Sequence, residues 1–297
     1  MRLTAKPGRL ELLMDASMAG KTVSDFLDMY LISSGNRYRM KTEETLLLNH
    51  VPVKDEQTVL HAKDVITILI KHEEPGFMPA DEACDVIYED DLVYVVHKDA
   101  GIIIHDTDRN DTLASMAARW QIDHGLHVPV RYIHRLDKDT SGLVLFVKVP
   151  FFQAWFDDQL QKKKIRRHYM AVCTGKAKKG QKFTFDQPIG KDRHVSGKYR
   201  VSETGKPAVT KAECLDTKNG FLLMGCELET GRTHQIRVHL SHSRHPIVND
   251  PLYGVPSVSF RNMCLWADRM EFRNPVDGEL ISVSDRKNPD YEFFGKS

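Results

Sequence analysis

The chain has 297 residues, of which 41% are hydrophobic and 28% are charged, with a net charge of +1. This length suits one large domain with a small additional one. No apolar run approaches the roughly 18 residues that span a bilayer, so a membrane protein is not expected. The near-neutral total gives no indication of a nucleic-acid partner, so the distribution of charge has to decide that question.

Residues 1–72 are predicted to form a small α+β domain. Apolar residues at three- and four-residue spacing indicate a helix over residues 23–31, and the apolar runs 46–48 and 65–70 indicate strands. Charge, Pro and Gly are mixed in residues 73–82, which interrupts helix and strand alike and predicts a linker. A larger domain is expected over residues 83–297.

The larger domain combines short strands with scattered helices. Runs of β-branched and aromatic residues predict strands at 86–88, 92–98 and 143–148. A helix is predicted to begin after the N-cap residue Thr112, and an amphipathic helix lies between Phe151 and Lys164. Because these elements alternate too irregularly for repeated βαβ units, we expect an α+β fold with a mixed, mainly antiparallel sheet.

Charge is distributed unevenly along the chain. Residues 81–110 carry nine acidic and two basic side chains, whereas residues 131–200 carry seventeen Lys or Arg against six Asp or Glu. A basic run such as residues 162–167, KKKIRR, is most often a solvated helix end. Its position between the motifs described next favours instead a surface that attracts the phosphates of a nucleic acid.

The densest polar segment covers residues 131–142, RYIHRLDKDTSG, and directly precedes an apolar strand. An Asp beside Arg and Lys is most often a surface ion pair that contributes less than about 1 kcal/mol, so composition alone does not make Asp137 catalytic. The pattern nevertheless resembles the HRLDxxTSG signature of the RluA-type pseudouridine synthases. Further segments that resemble this family in the same order are residues 167–175, 229–240, 246–247 and 250–254.

The resemblance covers residues 83–275 and implies a pseudouridine synthase fold. It implies an enzyme that flips a uridine out of RNA, breaks the bond from N1 to C1′, turns the base and joins C1′ to C5. This reaction requires no cofactor, and we expect no metal and no membrane partner. The expected substrate is ribosomal RNA or transfer RNA, and the expected enzyme is a cytoplasmic monomer.

The resemblance also assigns roles to single residues. Asp137 is the essential carboxylate, acting as a nucleophile, as an electrostatic stabiliser or as a base on the ribose, and these routes stay open. Arg232 is expected to form a buried ion pair with Asp137, and Tyr169 to lie against the target base. Residues expected to bind the substrate are His134, Arg135, Thr140, Arg167 and Ile236.

Two parts of the chain depart from the family pattern. Trp266 stands where the family usually has His in a Leu-His-Ala segment, which leaves the choice of RNA open. The N-terminal domain resembles the S4 RNA-binding domain in degenerate form, with its basic helix reduced to Arg37, Tyr38, Arg39 and Lys41.

Other classes of protein fit the sequence less well. A zinc site could use His234, His239, His242 and His245, but their spacing matches no HExxH motif. Neither a hydrolase nucleophile elbow around Ser141 nor the glycine-rich loop of a kinase is present in the sequence. The alternative that remains is a non-catalytic RNA-binding or ribosome-assembly factor that has kept the fold.

Overall fold

A computed structural model describes residues 1–285, 287 and 293–295. The other residues of the predicted domain 83–297 lie outside the described part of the chain. The described strands form a five-stranded sheet, a nine-stranded sheet and a two-stranded hairpin. The fold class is α+β with a mixed, mostly antiparallel sheet, as the sequence predicted. Within the described residues, no helix combines the length and apolarity that crossing a bilayer demands.

The first sheet is built from residues 2–69 and carries two helices. Its strand order is β1-β2-β5-β3-β4. Helix α1 begins at a capping box, in which Thr22 and Asp25 exchange backbone and side-chain hydrogen bonds. The elements are β1 (Arg2–Lys6), β2 (Arg9–Leu13), α1 (Val23–Met29), α2 (Ser34–Thr42), β3 (Leu46–Leu48), β4 (Val51–Pro52) and β5 (Val65–Leu69).

The second sheet follows and has the order β10-β13-β14-β9-β15-β8-β7-β6, with β16 paired to β15. Strands β11 and β12 form the separate hairpin. The elements are β6 (Asp85–Glu89), β7 (Val93–Lys98), α3 (Leu113–Asp123), β8 (Ser141–Val147), α4 (Gln153–Gln161), β9 (Arg166–Cys173), β10 (Lys182–Phe185), β11 (Ile189–Lys191), β12 (Tyr199–Val201), β13 (Thr210–Lys218), β14 (Phe221–Leu228), α5 (Gln235–His242), β15 (Leu265–Arg273) and β16 (Leu280–Ser284).

Helix α3 begins where the sequence predicted, because the Thr112 side chain accepts a hydrogen bond from the Ser115 backbone N–H. Strands β8 and β15 are parallel, and Gly142 faces Ala267 across them. A Cβ added at Gly142 would lie 2.3 Å from the Ala267 carbonyl oxygen, so no other residue fits this close approach. The glycine of the Thr-Ser-Gly motif therefore has a packing role.

The two sheets share an apolar cluster. Phe26 and Tyr30 of α1 pack against Phe151 and Phe152, with ring centroids between 5.0 and 6.0 Å apart. The Tyr30 hydroxyl donates to the Pro275 carbonyl oxygen at 3.2 Å. Burial of aromatic rings is the main stabilising term in such contacts. The N-terminal sheet is therefore packed against the start of the segment that continues into α4.

Candidate active site

Four neighbouring strands of the second sheet, β14, β9, β15 and β8, bring the motifs together. The segment of Asp137 leads into β8, Tyr169 lies on β9, and α5 follows β14 after a short loop. A cavity of about 1080 Å³ opens between these segments. Its walls include every residue that the sequence predicted for the site, namely His134, Arg135, Asp137, Thr140, Arg167, Tyr169, Arg232 and Ile236.

Asp137 is held by Arg237, the third residue of α5. The Arg237 Nη1 donates to Asp137 Oδ2 at 3.0 Å, while Nε and Nη2 donate to the two oxygens of Asp250 at 2.7 and 2.9 Å. The Arg237 side chain is 3% exposed and that of Asp250 is 0% exposed, whereas Asp137 keeps 26% exposure to the cavity. Burial alone would lower the pKa of Arg237, but its two carboxylate partners raise it above the usual value. The guanidinium is therefore a permanent cation shared by two carboxylates.

The predicted pair between Asp137 and Arg232 is wrong. Arg232 is exposed and its Nε donates to the Pro207 carbonyl oxygen at 2.9 Å. It lies in the loop before α5, whereas Arg237 lies inside the helix on its buried side. An arginine between Ile236 and Val238 was the available signal, because a charge embedded in an apolar helix is rarely left unpaired.

The loop before α5 is fixed by Gln235. Its Oε1 accepts from the Thr230 hydroxyl at 2.7 Å and from the Arg232 backbone N–H at 3.0 Å. Its Nε2 donates to the Val209 carbonyl oxygen and to the Thr210 hydroxyl, both at 2.9 Å. All four bonds are made by one buried amide, which therefore holds the start of α5 and so the position of Arg237.

A buried lysine, which no sequence pattern indicated, supports the loop of Asp137. Lys98 is 0% exposed, and its Nζ donates to the carbonyl oxygens of Asp99, Ile102 and Lys138 at 2.7 to 2.9 Å. Burial lowers the pKa of Lys98 to about 8, although the carboxylates of Asp139 and Asp137 act in the opposite direction. The last of its three partners is adjacent to Asp137 in the chain.

Tyr169 and His134 present uncharged side chains to the cavity. Tyr169 is 5% exposed, and burial raises the pKa of its phenol, so the hydroxyl is protonated at neutral pH. Burial, reinforced by Arg167, lowers the pKa of His134 to about 3. The His134 Nε2 accepts from the Leu145 backbone N–H at 3.4 Å, so this ring also ties the Asp137 segment to β8.

The rim of the cavity is basic. Five Lys or Arg side chains line it in addition to the buried Arg237, against three carboxylates. The basic residues are Arg135, Lys138, Lys163, Arg167 and Arg232, and the acidic residues are Asp137, Asp157 and Glu229. Four of these cations are exposed and Arg167 is half-buried, so together they attract an anionic polymer, while Asp137 is only 26% exposed.

The histidines considered for zinc do not converge. No group of three or more metal-binding side chains occurs among the residues that the structure describes. His239 instead bonds to the Thr210 hydroxyl and the Gln187 carbonyl oxygen, both at 2.9 Å. His234 bonds to the Tyr253 hydroxyl at 2.9 Å. These two imidazoles are thus engaged with protein groups.

Comparison with known proteins agrees with this geometry. Residues 92–242 match the family model described as RNA pseudouridylate synthase. The chain is 34% identical over 277 residues to an uncharacterised RNA pseudouridine synthase, YhcT, of Bacillus subtilis. The matched region covers 92% of this chain and 91% of YhcT. It is 34% identical to the ribosomal large subunit pseudouridine synthase D of Neisseria meningitidis, over 81% of this chain and 68% of that one.

A solved structure, the human RNA pseudouridylate synthase domain containing 1, shares the fold with a TM-score of 0.56. It is 24% identical and covers 69% of this chain and 84% of that chain. The family match spans strands β7 to β14 and the helix that carries Arg237. The chain therefore belongs to the RNA pseudouridylate synthase family and is an RNA pseudouridine synthase.

Proposed function

We propose that this enzyme converts uridines of large-subunit ribosomal RNA to pseudouridine, with Asp137 as the catalytic carboxylate. The observation that carries the proposal is the arrangement of Asp137, which a buried Arg237 holds in a cavity with a basic rim. The choice of ribosomal RNA is supported by relatives named ribosomal large subunit pseudouridine synthase D. Transfer RNA is the second substrate class.

The geometry suits attack on a nucleoside that has left its helix. The hydrogen bond from Arg237 and the approach of His234 both involve Oδ2 of Asp137, which leaves Oδ1 to meet the ribose. From there the carboxylate either attacks C1′ or removes the proton at C2′, and both routes need it ionised. A cavity of about 1080 Å³ has room for the extruded uridine together with its neighbouring phosphates.

Tyr169 and Arg135 have separate tasks in this proposal. The buried ring of Tyr169 stacks on the uracil, and its protonated hydroxyl is available as a donor during rotation of the base. A phenolate that removes the C5 proton is disfavoured at rest, because burial raises the pKa of this phenol. The exposed Arg135 fills or holds the space that the flipped nucleotide vacates.

The N-terminal residues 1–72 are proposed as an S4-like domain that adds RNA contacts. Helix α2 has no buried residue, and Tyr38, Arg39 and Lys41 are exposed on it. Arg37 is less suited to bind phosphate, because it already pairs with Asp28 and Glu56 within the domain. The RNA contact of this domain would therefore use Arg39 and Lys41 as the cations of this helix, with Tyr38 beside them.

We also propose that the enzyme works as a monomer in the cytoplasm. The cysteines at positions 84, 173, 214 and 226 are buried free thiols, which suits a reducing compartment. No metal ion or other cofactor enters the proposed reaction, since the isomerisation needs neither a redox step nor a hydrolytic water.

The test is pseudouridine mapping of total RNA from cells that lack the protein and from cells complemented with wild type, Asp137→Asn or Asp157→Asn. The Asn at position 137 keeps the shape of the side chain and removes its charge, so folding and RNA affinity should persist without turnover. Asp157 lines the same cavity, and Asp157→Asn should behave as wild type. A site restored by Asp137→Asn would refute the role of Asp137. RNA bound without any mapped site would favour the assembly-factor alternative.

A further inference from the structure

His234 has an unusual backbone conformation at the start of α5. Its φ is +56°, in the left-handed region that few residues other than Gly adopt, although Asn, Asp and His do so more often than the rest, and its side chain does not cap the helix. Strain of this kind persists where the surrounding structure requires a side chain at a fixed place. The place in question is beside Asp137.

Two tyrosines fix the imidazole of His234. The Tyr199 backbone N–H donates to the Tyr253 hydroxyl oxygen at 2.8 Å, and that hydroxyl lies 2.9 Å from His234 Nδ1. Since the phenol oxygen accepts from Tyr199, its own proton is free to be donated to Nδ1. The neutral ring then carries its proton on Nε2. Both tyrosine rings also contact the imidazole edge to face, at 5.6 and 5.7 Å.

The Nε2 atom of His234 faces the catalytic carboxylate. It lies 3.8 Å from Asp137 Oδ2, the same oxygen that accepts from Arg237 Nη1 at 3.0 Å. Burial lowers the pKa of His234, against the opposing effect of Asp137, so the ring is neutral at neutral pH. A distance of 3.8 Å is too long for a hydrogen bond, but hydrogen bonds at active sites often shorten when the substrate binds.

We propose that His234 is a positioning residue for the reaction: when a uridine enters, its Nε2–H closes on Asp137 Oδ2 and orients the carboxylate toward the ribose. Two donors, Arg237 and His234, then hold Oδ2, and Oδ1 is directed at the substrate. Tyr253 sets the tautomer that makes His234 a donor at this point. The inference rests on the proposed function of Asp137 and names two further residues that serve it.

The variants His234→Asn and Tyr253→Phe test this role. Asn tolerates the left-handed backbone, so His234→Asn removes the imidazole without adding strain. Tyr253→Phe removes one hydroxyl and keeps the ring. Each should lower kcat by on the order of tenfold, as for one lost orienting hydrogen bond, with an unchanged Kd for RNA. The control is Ser241→Ala, because Ser241 bonds to the Tyr253 carbonyl oxygen and not to its hydroxyl.

Two readouts separate positioning from a merely structural role. First, the loss of kcat caused by Tyr253→Phe should vanish in the His234→Asn background, since the proposal has the hydroxyl affect catalysis through the imidazole and its bond to the Tyr199 backbone affects only stability. Second, NMR of enzyme labelled with ¹⁵N-histidine should show the Nε2–H tautomer at His234 in the wild type and its loss in Tyr253→Phe. This spectrum requires neither RNA nor turnover.

Additive losses, an unchanged kcat in both variants, or a loss confined to the Kd for RNA would each overturn the role of His234. An active wild type beside unaffected variants overturns this inference alone. A wild type that isomerises no uridine in cellular RNA overturns the proposed function itself. The tautomer measurement then still decides whether Tyr253 sets the protonation of His234.

Discussion

The substitution Arg237→Met tests the electrostatic centre of the site. It removes the two hydrogen bonds to Asp250 and the one to Asp137 while keeping an unbranched, helix-compatible side chain. Removing one partner of a buried ion pair typically costs about 3–5 kcal/mol, because a buried charge is left uncompensated. Asp250 also accepts from the backbone N–H groups of Leu252 and Tyr253, so we expect a loss near the lower end, about 3 kcal/mol.

The loss should be measured as the free energy of unfolding in urea, beside turnover on RNA labelled with tritium at uridine C5. The matched control is Arg232→Met, which removes a cation from the same cavity but breaks only an exposed bond to a backbone carbonyl. That variant should stay within about 0.5 kcal/mol of the wild type. The pair of variants thus decides between the arginine predicted from the motif and the arginine found in the helix.

A double variant, Arg237→Met with Asp250→Leu, separates stability from catalysis. Replacing both charges by apolar groups should restore part of the stability, because no charge is then left alone beside Asp250, although the backbone N–H groups of Leu252 and Tyr253 lose their acceptor. Turnover should remain low, because Asp137 still lacks the donor that orients it. Unfolding free energies that are equal for Arg237→Met and the wild type would refute the buried pair. Full turnover in the double variant would refute the orienting role of Arg237.

Three further outcomes are expected. Gly142→Ala should lower the free energy of unfolding by about 3 kcal/mol or more, because the added Cβ would collide with the backbone of β15. The control is Gly101→Ala, where φ is also positive but the space is open, and it should lose about 1 kcal/mol. Equal losses would contradict the packing role of Gly142. Lys98→Met should lower the melting temperature and the turnover, because three backbone carbonyl groups at the loop of Asp137 lose their donor, at a cost of about 2 kcal/mol in the free energy of unfolding. An unchanged melting curve would show that Lys98 does not support this loop. Burial would lower the pKa of His97, but its bond to Asp285 raises it. The stability that Asp285→Asn removes should therefore be largest below about pH 6.5 and fade as pH rises through the folded-state pKa of His97. A difference in stability that does not change with pH would show that the His97–Asp285 pair does not contribute in this way.

The sequence predicted local structure well where one signal was strong. The predicted N-cap at Thr112 corresponds to the start of α3, and the strand predicted at 143–148 corresponds to β8 (Ser141–Val147). It missed the hairpin of β1 and β2, which closes at Gly8 with φ +70°. The parallel contact of β8 with β15 joins segments over a hundred residues apart, and no local pattern reports such a pairing.

The motifs identified the site but not its internal partners. All eight predicted residues line one cavity because the three motif segments that contain them lie on or next to β8, β9 and β14. Which arginine reaches Asp137 depends on the direction in which α5 leaves its loop, and that direction is set by Gln235 and its long-range partners. Lys98, His234 and Tyr253 act through groups distant in sequence. Their roles became visible only with the contacts.

The positions of the charges explain how one site can attract a polyanion although it contains a carboxylate. Asp137 would repel phosphate if it lay among the exposed bases of the rim. Instead the buried Arg237 offsets part of the negative charge of Asp137, and the exposed bases of the rim attract the RNA backbone. Salt screens the exposed rim strongly but the buried pair weakly. The two sets of cations are therefore expected to serve separate steps: the rim captures RNA, and Arg237 orients Asp137, the carboxylate proposed to act on it.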